Sequence, residues 1–349
     1  MSGPATRRKP IAPRRVDLGV RVGPLTLRNP VLTASGTFGY GDEYAHVVDL
    51  SAIGGVVTKT VTVMPRPGNA PARVAETPAG MLNSIGLENV GLERFRDEKL
   101  PRLRELEATV IASVGGETPE ELETLLSALG REPGVAAFEL NFSCPNVAAG
   151  GARYWTDLSR LERTIALLKP LTDKPLIAKL SPDVTDIRET ARACERGGAD
   201  ALTAVNTFVG LAIDIDSLES KLGRGTGGLS GPAIKPLALA RCWEAASAVR
   251  IPVLGSGGIA SGRDALEFMA VGATAVQVGT ATFLEPEACT RVLDEMRAWL
   301  AASGMARVGE LIGAFHAQHA QECEPAAAMD GREPQGREQR GREPRGRAR

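Results

Sequence analysis

The 349-residue chain has no long run of apolar residues. A membrane-spanning helix needs roughly 20 consecutive apolar residues, and no stretch approaches that length. Residues 1–15 are basic and proline-rich and lack the apolar segment of a secretory signal. We therefore expect a cytoplasmic protein with no membrane partner.

The chain also has almost no net charge. Its 41 basic residues balance 42 acidic ones, which leaves a formal net charge of -1. Nucleic-acid and membrane-surface partners usually require a basic excess, so neither is expected. With 43% hydrophobic residues, the chain can bury a sizeable core.

Cysteine is scarce and scattered. The five cysteines are Cys144, Cys194, Cys242, Cys289 and Cys323, and no two of them form a CxxC pair. This pattern argues against a disulfide framework and against a structural zinc or iron–sulfur site, so no metal is expected. Cys194, Cys242 and Cys289 fall in predicted helices, where a free thiol is usually an inert buried group.

The two ends have the composition of disordered tails. Residues 1–15 combine prolines with basic residues, and residues 324–349 repeat Gly-Arg-Glu-Pro-like units with almost no apolar side chains. Such segments bury too little surface to offset the entropy of ordering. The sequence thus predicts one domain at 16–318 between two disordered tails. The alternative is a basic tail that contacts a partner or RNA.

Between the ends, short and nearly continuous apolar segments alternate with longer amphipathic ones. Apolar segments of this kind are typical of parallel strands covered by helices. The eight predicted strands are Pro30–Ser35, Gly55–Thr60, Thr109–Val114, Ala136–Asn141, Leu176–Leu180, Ala201–Asn206, Val253–Ser256 and Ala275–Gly279.

Helix signals separate these strands. Residues 118–121 read Thr-Pro-Glu-Glu, a helix start, and amphipathic patterns cover 186–196, 233–248, 262–270 and 287–302. Eight strand–helix units predict an α/β protein with a (β/α)8 barrel. The alternative, an open doubly wound sheet, should show a glycine-rich fingerprint after its first strand, and none is present.

Two segments interrupt the alternation. Residues 16–30 predict an N-terminal hairpin, and residues 61–90 predict a long loop insertion on the C-terminal rim of the barrel. Long ordered loops of barrels are usually functional, because active residues lie at the C-terminal ends of the strands and in the loops that follow.

Glycines follow the last two predicted strands. Gly257 and Gly258 come after the seventh strand, and Gly279 and Thr280 come after the eighth. Backbone N–H groups at such turns bind phosphate, although each glycine could also serve only a tight turn. Their pairing on adjacent strands favours a phosphate-bearing ligand.

Two lysines lie on predicted strands. Lys59 and Lys179 are surrounded by aliphatic residues, where an ammonium group needs an anionic partner such as a phosphate or a reduced flavin. The alternative for Lys179 is a side chain that extends to solvent.

Cys144 follows the fourth predicted strand, with Asn141 and Asn146 on either side. A thiol in such a loop can act as a nucleophile or as a base. The three histidines are His46, His316 and His319, and none lies near it in the sequence. A Cys/His hydrolase is therefore disfavoured, which leaves proton abstraction or a redox role.

Asparagines form the last group of candidates: Asn83, Asn141, Asn146 and Asn206. Each amide offers both donors and an acceptor, which suits a planar ligand such as a pyrimidine ring. The alternative is that they only stabilise turns.

From about Val16 to Phe315, the chain resembles the class 1 dihydroorotate dehydrogenases. The segments that carry the resemblance are Ala34–Gly39, Lys59–Thr60, Asn83–Leu87, Asn141–Asn146 (Asn-Phe-Ser-Cys-Pro-Asn) and Gly228–Pro236 (Gly-Leu-Ser-Gly-Pro-Ala-Ile-Lys-Pro). The last two are highly specific in combination.

The resemblance implies an enzyme that oxidises dihydroorotate to orotate in pyrimidine biosynthesis, with one FMN per chain across the barrel top. Cys144 would be the catalytic base that removes the C5 proton while hydride leaves C6. The implied substrate residues are Lys59, Asn83, Ser84, Ile85, Gly86, Leu87, Asn141, Asn146, Asn206 and Thr207. The implied FMN residues are Ser35, Lys59, Thr60, Asn141, Lys179, Val205, Gly231, Gly257, Gly258, Gly279 and Thr280.

Within the family, the cysteine base and residues 36–44 look like the NAD-linked class 1B rather than the quinone-linked class, which carries serine. Class 1B implies a homodimer of this chain joined to a separate subunit that holds FAD and a [2Fe-2S] cluster, as a heterotetramer. One departure is Ala148-Ala149, where many relatives carry lysine.

Other interpretations remain. They are a dihydropyrimidine dehydrogenase-like flavin reductase, a class 1A-like enzyme that uses fumarate, a phosphate-binding barrel without flavin, and a non-catalytic scaffold.

Overall fold

The computed structural model describes residues 8–142 and 157–319, with side chains up to residue 316. Cys144, Asn146 and the Ala148-Ala149 departure lie outside these residues, as do residues 1–7 and the predicted tail at 324–349. Predictions that concern them stay predictions.

Eight parallel strands form the barrel. They are β3 (Val31–Thr33), β4 (Val56–Val57), β7 (Val110–Val114), β8 (Val135–Asn141), β9 (Leu176–Lys179), β10 (Ala201–Ala204), β15 (Val253–Ser256) and β16 (Ala273–Val278). The order around the sheet is β3-β16-β15-β10-β9-β8-β7-β4, and a parallel bridge between Leu32 and Gly55 joins the two ends. The predicted (β/α)8 fold is confirmed.

Ten helices occur in the described part of the chain. They are α1 (Gly91–Arg94), α2 (Leu100–Glu105), α3 (Pro119–Leu129), α4 (Leu158–Leu168), α5 (Ile187–Arg196), α6 (Lys235–Ala248), α7 (Gly262–Ala270), α8 (Ala281–Leu284), α9 (Ala288–Ala302) and α10 (Ala314–His319). A π-helical turn at Phe95–Lys99 joins α1 to α2. None of these helices is both long and apolar enough to cross a membrane.

Local sequence explains how α3 begins. The Thr118 side chain accepts a hydrogen bond from the backbone N–H of Glu121, and Pro119 occupies the first turn, where no N–H is needed. Its apolar face is the leucine row Leu122, Leu125, Leu126 and Leu129, all buried. Helices of this kind cover the barrel strands from outside, so the strands are buried on both faces.

The predicted N-terminal hairpin is present as β1 (Val20–Val22) paired with β2 (Leu25–Leu27). Residues 8–15, which the sequence assigned to a disordered tail, are ordered in the structure. Pro13–Arg15 form a 3-10 turn, the Ile11 N–H donates to Ala301 O at 2.9 Å, and Arg8 pairs with Glu310. Ile11 packs on the core, and this contact orders a segment whose composition is otherwise polar.

A second sheet lies among the loops at the C-terminal rim. It contains β5 (Val74–Thr77), β6 (Gly80–Asn83), β11 (Phe208–Gly210) and β14 (Gly227–Ser230), antiparallel in the order β11-β14-β6-β5. We call these four strands the upper sheet. Between β11 and β14, β12 (Ile213–Asp214) and β13 (Glu219–Ser220) form a hairpin. The sequence predicted 61–90 as a turn-rich loop and so missed β5 and β6, and it also missed the four strands between 208 and 230. All six strands are short, and none is buried along its whole length.

Candidate active site

A cavity of about 590 Å³ is lined by residues from the barrel strand ends and from the upper sheet. Ten residues predicted from the sequence line it: Ser35, Lys59, Thr60, Asn83, Ile85, Gly86, Leu87, Asn141, Asn206 and Thr207. Eight more were not predicted: Gly36, Thr37, Val74, Met81, Glu88, Gly228, Ser230 and Phe283. Four of these eight, Gly36, Thr37, Gly228 and Ser230, lie inside the segments Ala34–Gly39 and Gly228–Pro236 that carry the family resemblance, which is a signal that could have found them.

The barrel side of the cavity is held by buried hydroxyl groups. Asn141, the last residue of β8, donates from Nδ2 to Thr60 Oγ1 at 3.0 Å. Thr60 Oγ1 in turn lies 2.9 Å from Ser113 Oγ on β7. These contacts orient the Asn141 amide at the cavity wall. Sequence analysis missed Ser113, which stands inside an apolar strand.

Asn83 and Gly228 meet on the upper sheet. They are register partners on β6 and β14, and Asn83 Nδ2 donates to Gly228 O at 3.2 Å. A Cβ atom at position 228 would lie 2.2 Å from Thr207 Oγ1. Glycine is therefore required at 228, because any side chain there would displace Thr207 from the cavity wall.

The segment after β6 is fixed from outside the cavity. Asn69 Nδ2 donates to Ser84 O at 2.8 Å and lies 3.2 Å from Ser84 Oγ. Ser84 is buried and does not line the cavity, so it supports the loop. Glu88 lines the cavity and pairs with Arg73 at 2.9 Å, which holds the far end of the same segment.

The predicted phosphate-binding residues Gly257, Gly258, Gly279 and Thr280 are not among the residues that line the cavity, although Thr280 contacts one that is. Thr280 Oγ1 donates to Ser230 Oγ at 2.8 Å, and Ser230 lines the cavity. A Cβ at Gly231 would meet Gly80 and Thr280, and a Cβ at Gly279 would meet Ala34. Val205 is buried one residue before Asn206.

Gly257 and Gly258 both have positive φ angles, 126° and 75°. A Cβ at Gly258 would lie 2.7 Å from Lys235 N at the start of α6. The turn after β15 therefore needs glycine for its backbone, and it also packs tightly on α6. These observations satisfy the tight-turn interpretation, and phosphate binding by the backbone N–H groups of this turn stays a prediction.

Lys179 is buried, with 4% of its surface exposed. Its Nζ lies 3.3 Å from Glu139 Oε1, 3.3 Å from Ser35 Oγ and 3.4 Å from Gln277 Oε1. A side chain that extends to solvent is therefore excluded. The structure pairs the ammonium with the carboxylate of Glu139, a partner that the sequence analysis did not anticipate, and a phosphate or flavin partner stays a prediction. Sequence analysis missed Glu139 and Gln277, although each is a polar residue inside an apolar strand, a signal that could have revealed them.

The described cysteines match the predicted inert role. Cys194, Cys242 and Cys289 are buried in α5, α6 and α9, and burial raises the pKa of each thiol to about 12. Within residues 8–142 and 157–319, no cluster of three histidine, cysteine or acidic side chains could hold a metal ion.

The cavity lies at the C-terminal ends of the barrel strands, which is where (β/α)8-barrel enzymes carry their active sites. The chain is therefore a member of this class of proteins. A family profile described as "Dihydroorotate dehydrogenase" matches residues 17–300. The chain belongs to the dihydroorotate dehydrogenase family.

Curated relatives point to one class within the family. The "Dihydroorotate dehydrogenase B (NAD(+)), catalytic subunit" of Trichlorobacter lovleyi is 52% identical over 298 residues, covering 85% of this chain and 98% of the relative. The protein of the same description from Geobacter sulfurreducens is 51% identical over 302 residues, covering 86% and 99%. The class 1B resemblance predicted from the sequence is confirmed.

A solved structure supports the fold. "Crystal structure of DHODH in complex with ferulenol from Eimeria tenella" matches with a TM-score of 0.72 and 25% identity, covering 86% of this chain and 89% of that chain.

Proposed function

We propose that this chain is the catalytic subunit of an NAD-linked enzyme that oxidises dihydroorotate to orotate. The observation that carries the proposal is the cavity, which brings ten predicted site residues to one face of the barrel. Relatives about half identical over nearly their whole length are named for this reaction, which supports the same assignment here.

FMN fits this site. The cavity, about 590 Å³, falls within the roughly 300–1,000 Å³ usual for small-molecule and cofactor sites. The backbone N–H groups of Gly257, Gly258, Gly279 and Thr280 would hold its phosphate. Ser35, Lys59, Thr60, Asn141, Lys179, Val205 and Gly231 would surround the ring system. When bound, FMN would supply the two-electron acceptor for the substrate.

The remaining cavity residues suit a pyrimidine with a carboxylate. Lys59 offers a positive charge for the carboxylate, and the amides of Asn83, Asn141 and Asn206 offer paired donors and acceptors to the ring. Thr207 adds a hydroxyl, and the 84–87 segment closes one side. Asn146 would complete the amide set. The residues would thereby orient C5 and C6 for reaction.

Cys144 would act as the base that takes the C5 proton. The support is its place in the Asn141–Asn146 motif and the inert burial of Cys194, Cys242 and Cys289. An unperturbed thiol has a pKa of about 8.5, so only a few per cent is thiolate at neutral pH. The rate of substrate oxidation should therefore rise with pH until the thiol is ionised.

Replacing Cys144 tests this role. We expect Cys144→Ala to slow anaerobic reduction by dihydroorotate at least ~100-fold and to remove its rise with pH. Cys194→Ala, which removes a buried thiol on α5, is the matched control and should keep the wild-type pH profile. A Cys144→Ala variant that reacts at the wild-type rate would exclude this base.

The likeness to class 1B also suggests how the chain assembles. We infer a homodimer of this chain that joins a second subunit carrying FAD and a [2Fe-2S] cluster, through which electrons reach NAD+. The description "catalytic subunit" shared by the relatives supports a partner subunit. A cytoplasmic location would suit a soluble electron acceptor.

The decisive experiment is the visible spectrum of the purified chain before and after dihydroorotate is added without oxygen. We expect a flavin spectrum that bleaches. A flavin spectrum that bleaches only with a reductant and is reoxidised by uracil would favour the dihydropyrimidine dehydrogenase-like alternative, and reoxidation by fumarate would favour class 1A. A chain that stays colourless after FMN is added would leave a phosphate-binding barrel.

A further inference from the structure

Four polar side chains meet inside the barrel, behind the residues that line the cavity. They come from four different strands: Glu139 on β8, Lys179 on β9, Thr203 on β10 and Gln277 on β16. None is more than 4% exposed. We call these four residues the barrel cluster. The proposed chemistry uses only Lys179, so the other three require an explanation.

Strand register brings the cluster together. Thr203 is the register partner of Lys179, and Glu139 is the partner of Ile177, two residues before Lys179. Residues two apart on a strand face the same side, so Glu139, Lys179 and Thr203 all point into the barrel. The contact is therefore determined by the pairing of the strands.

The Glu139 carboxylate is held on both oxygens. Oε2 accepts from Thr203 Oγ1 at 2.9 Å and from Gln277 Nε2 at 2.5 Å, while Oε1 faces Lys179 Nζ at 3.3 Å. Gln277 Oε1 lies 3.4 Å from the same ammonium group. The carboxylate thus cannot turn away from Lys179 without losing two hydrogen bonds in a buried site.

The cluster reaches the cavity through one hydroxyl group. Lys179 Nζ lies 3.3 Å from Ser35 Oγ, and Ser35 lines the cavity. The positive charge of Lys179 therefore lies next to the cavity wall, with the negative charge of Glu139 3.3 Å from it. In a dry interior both charges act on a bound ligand with little screening.

We propose that Glu139 is a positioning residue that fixes the Lys179 ammonium behind the flavin and offsets part of its charge. Reduction adds negative charge to the flavin ring, which the ammonium favours and the carboxylate opposes. Glu139 thereby limits how strongly the site prefers reduced over oxidised FMN. The inference rests on the proposed function, because it requires FMN in this cavity.

The test is Glu139→Gln in the full chain. Glutamine keeps the shape of the side chain and removes its charge. We expect the ratio of reduced to oxidised FMN affinity to rise about tenfold, which corresponds to an upward shift of about 30 mV for a two-electron couple. The readouts are the midpoint potential, from dye-equilibrated reduction without substrate, and the dissociation constant of oxidised FMN.

Thr203→Val is the matched control, since it removes a hydrogen bond from the same carboxylate without changing any charge. It should keep the wild-type potential even if stability falls. If Glu139→Gln does not fold, Glu139→Asp is the replacement variant. It keeps the charge but moves the carboxylate away from Lys179 by one methylene group, so we expect a smaller upward shift of the midpoint potential.

The outcomes are distinguishable. An unchanged potential in flavin-loaded Glu139→Gln, or in Glu139→Asp where that variant is used, would overturn the inference and leave the proposed function intact. Equal shifts in Glu139→Gln and Thr203→Val would assign the cluster a purely structural role. A wild-type chain that binds no FMN would overturn both proposals.

Discussion

The barrel and the upper sheet are both built from short strands, but their surroundings differ. Every residue of β7 and β9 is buried, whereas β5 alternates between exposed and half-buried positions and β11 is nowhere fully buried. Parallel strands are covered on both faces by helices and by the barrel interior, while an antiparallel sheet can keep one face open.

This difference in burial implies different roles for the two regions. Burial of apolar surface is the dominant favourable contribution to folding, and the barrel holds most of it. The upper sheet instead supplies cavity residues, namely Val74, Met81, Asn83, Gly228 and Ser230. We therefore expect mutations of apolar residues in the barrel strands to act on the free energy of unfolding, and mutations of cavity-lining residues in the upper sheet to act on catalysis.

A matched pair of isoleucine truncations gives the largest expected contrast. Ile111 on β7 is fully buried, and Ile213, on the hairpin next to the upper sheet, is 53% exposed. We expect Ile111→Ala to lower the free energy of unfolding by about 2–5 kcal/mol and Ile213→Ala to change it by no more than about 0.5 kcal/mol. Urea denaturation measures the free energy of unfolding of both variants. Similar losses in the two would contradict the expected difference between the barrel and the upper sheet.

A glycine substitution tests the catalytic side. Gly228→Ala places a Cβ against Thr207 Oγ1, and a displacement of about 1 Å in a site can lower the rate ~100-fold. We expect kcat/KM for dihydroorotate to fall by about that factor while the chain stays folded. Gly309→Ala is the control, because a Cβ there meets nothing within 4 Å. Full activity of Gly228→Ala would mean that the upper sheet does not position substrate.

Alkaline pH should lower the stability of the chain through the thiols buried in the helices around the barrel. Burial raises the pKa of Cys194, Cys242 and Cys289 to about 12, so the folded chain retains protons that the unfolded chain releases above about pH 8.5. The free energy of unfolding must then fall as pH rises from about 9 towards 12, by at most about 1.4 kcal/mol per thiol per pH unit.

Denaturation at pH 8 and pH 10 measures this decline. Cys242→Ala should show a flatter decline than the wild type, since it removes one of the three thiols. Ser247→Ala on the same helix, α6, removes no titrating group and should decline like the wild type. Equal slopes in all three proteins would exclude the buried thiols as the cause.

The sequence predicted the barrel well because burial on both faces leaves a strong signal. Val253–Ser256 was predicted with the bounds that the structure has, and helix 186–196 differs from α5 by one residue. The predicted Pro30–Ser35 and Gly55–Thr60 shorten to β3 and β4. Most of the residues removed lie at the C-terminal ends of these strands, where the chain leaves the ladder and carries polar side chains such as Ser35, Lys59 and Thr60.

The site was predicted only in part, for a physical reason. The sequence indicated that the Lys179 ammonium needs an anionic partner, but it suggested only a phosphate or a reduced flavin. The register between β8 and β9 places Glu139 beside Lys179. Gln277 contacts the same ammonium group, although it lies almost 100 positions away in the chain. Pairings of this kind leave no local pattern.

The sequence by itself therefore determined the fold class, the barrel strands, the helix that begins at Thr118 and the set of polar residues at the strand ends, because each depends on local periodicity or on the nearest neighbours in the chain. Only the tertiary structure decided that the upper sheet covers the cavity, that Gly228 must leave room for Thr207, and that Glu139 faces Lys179. These contacts join distant segments whose strands pair in the sheets, and their geometry exists only after folding.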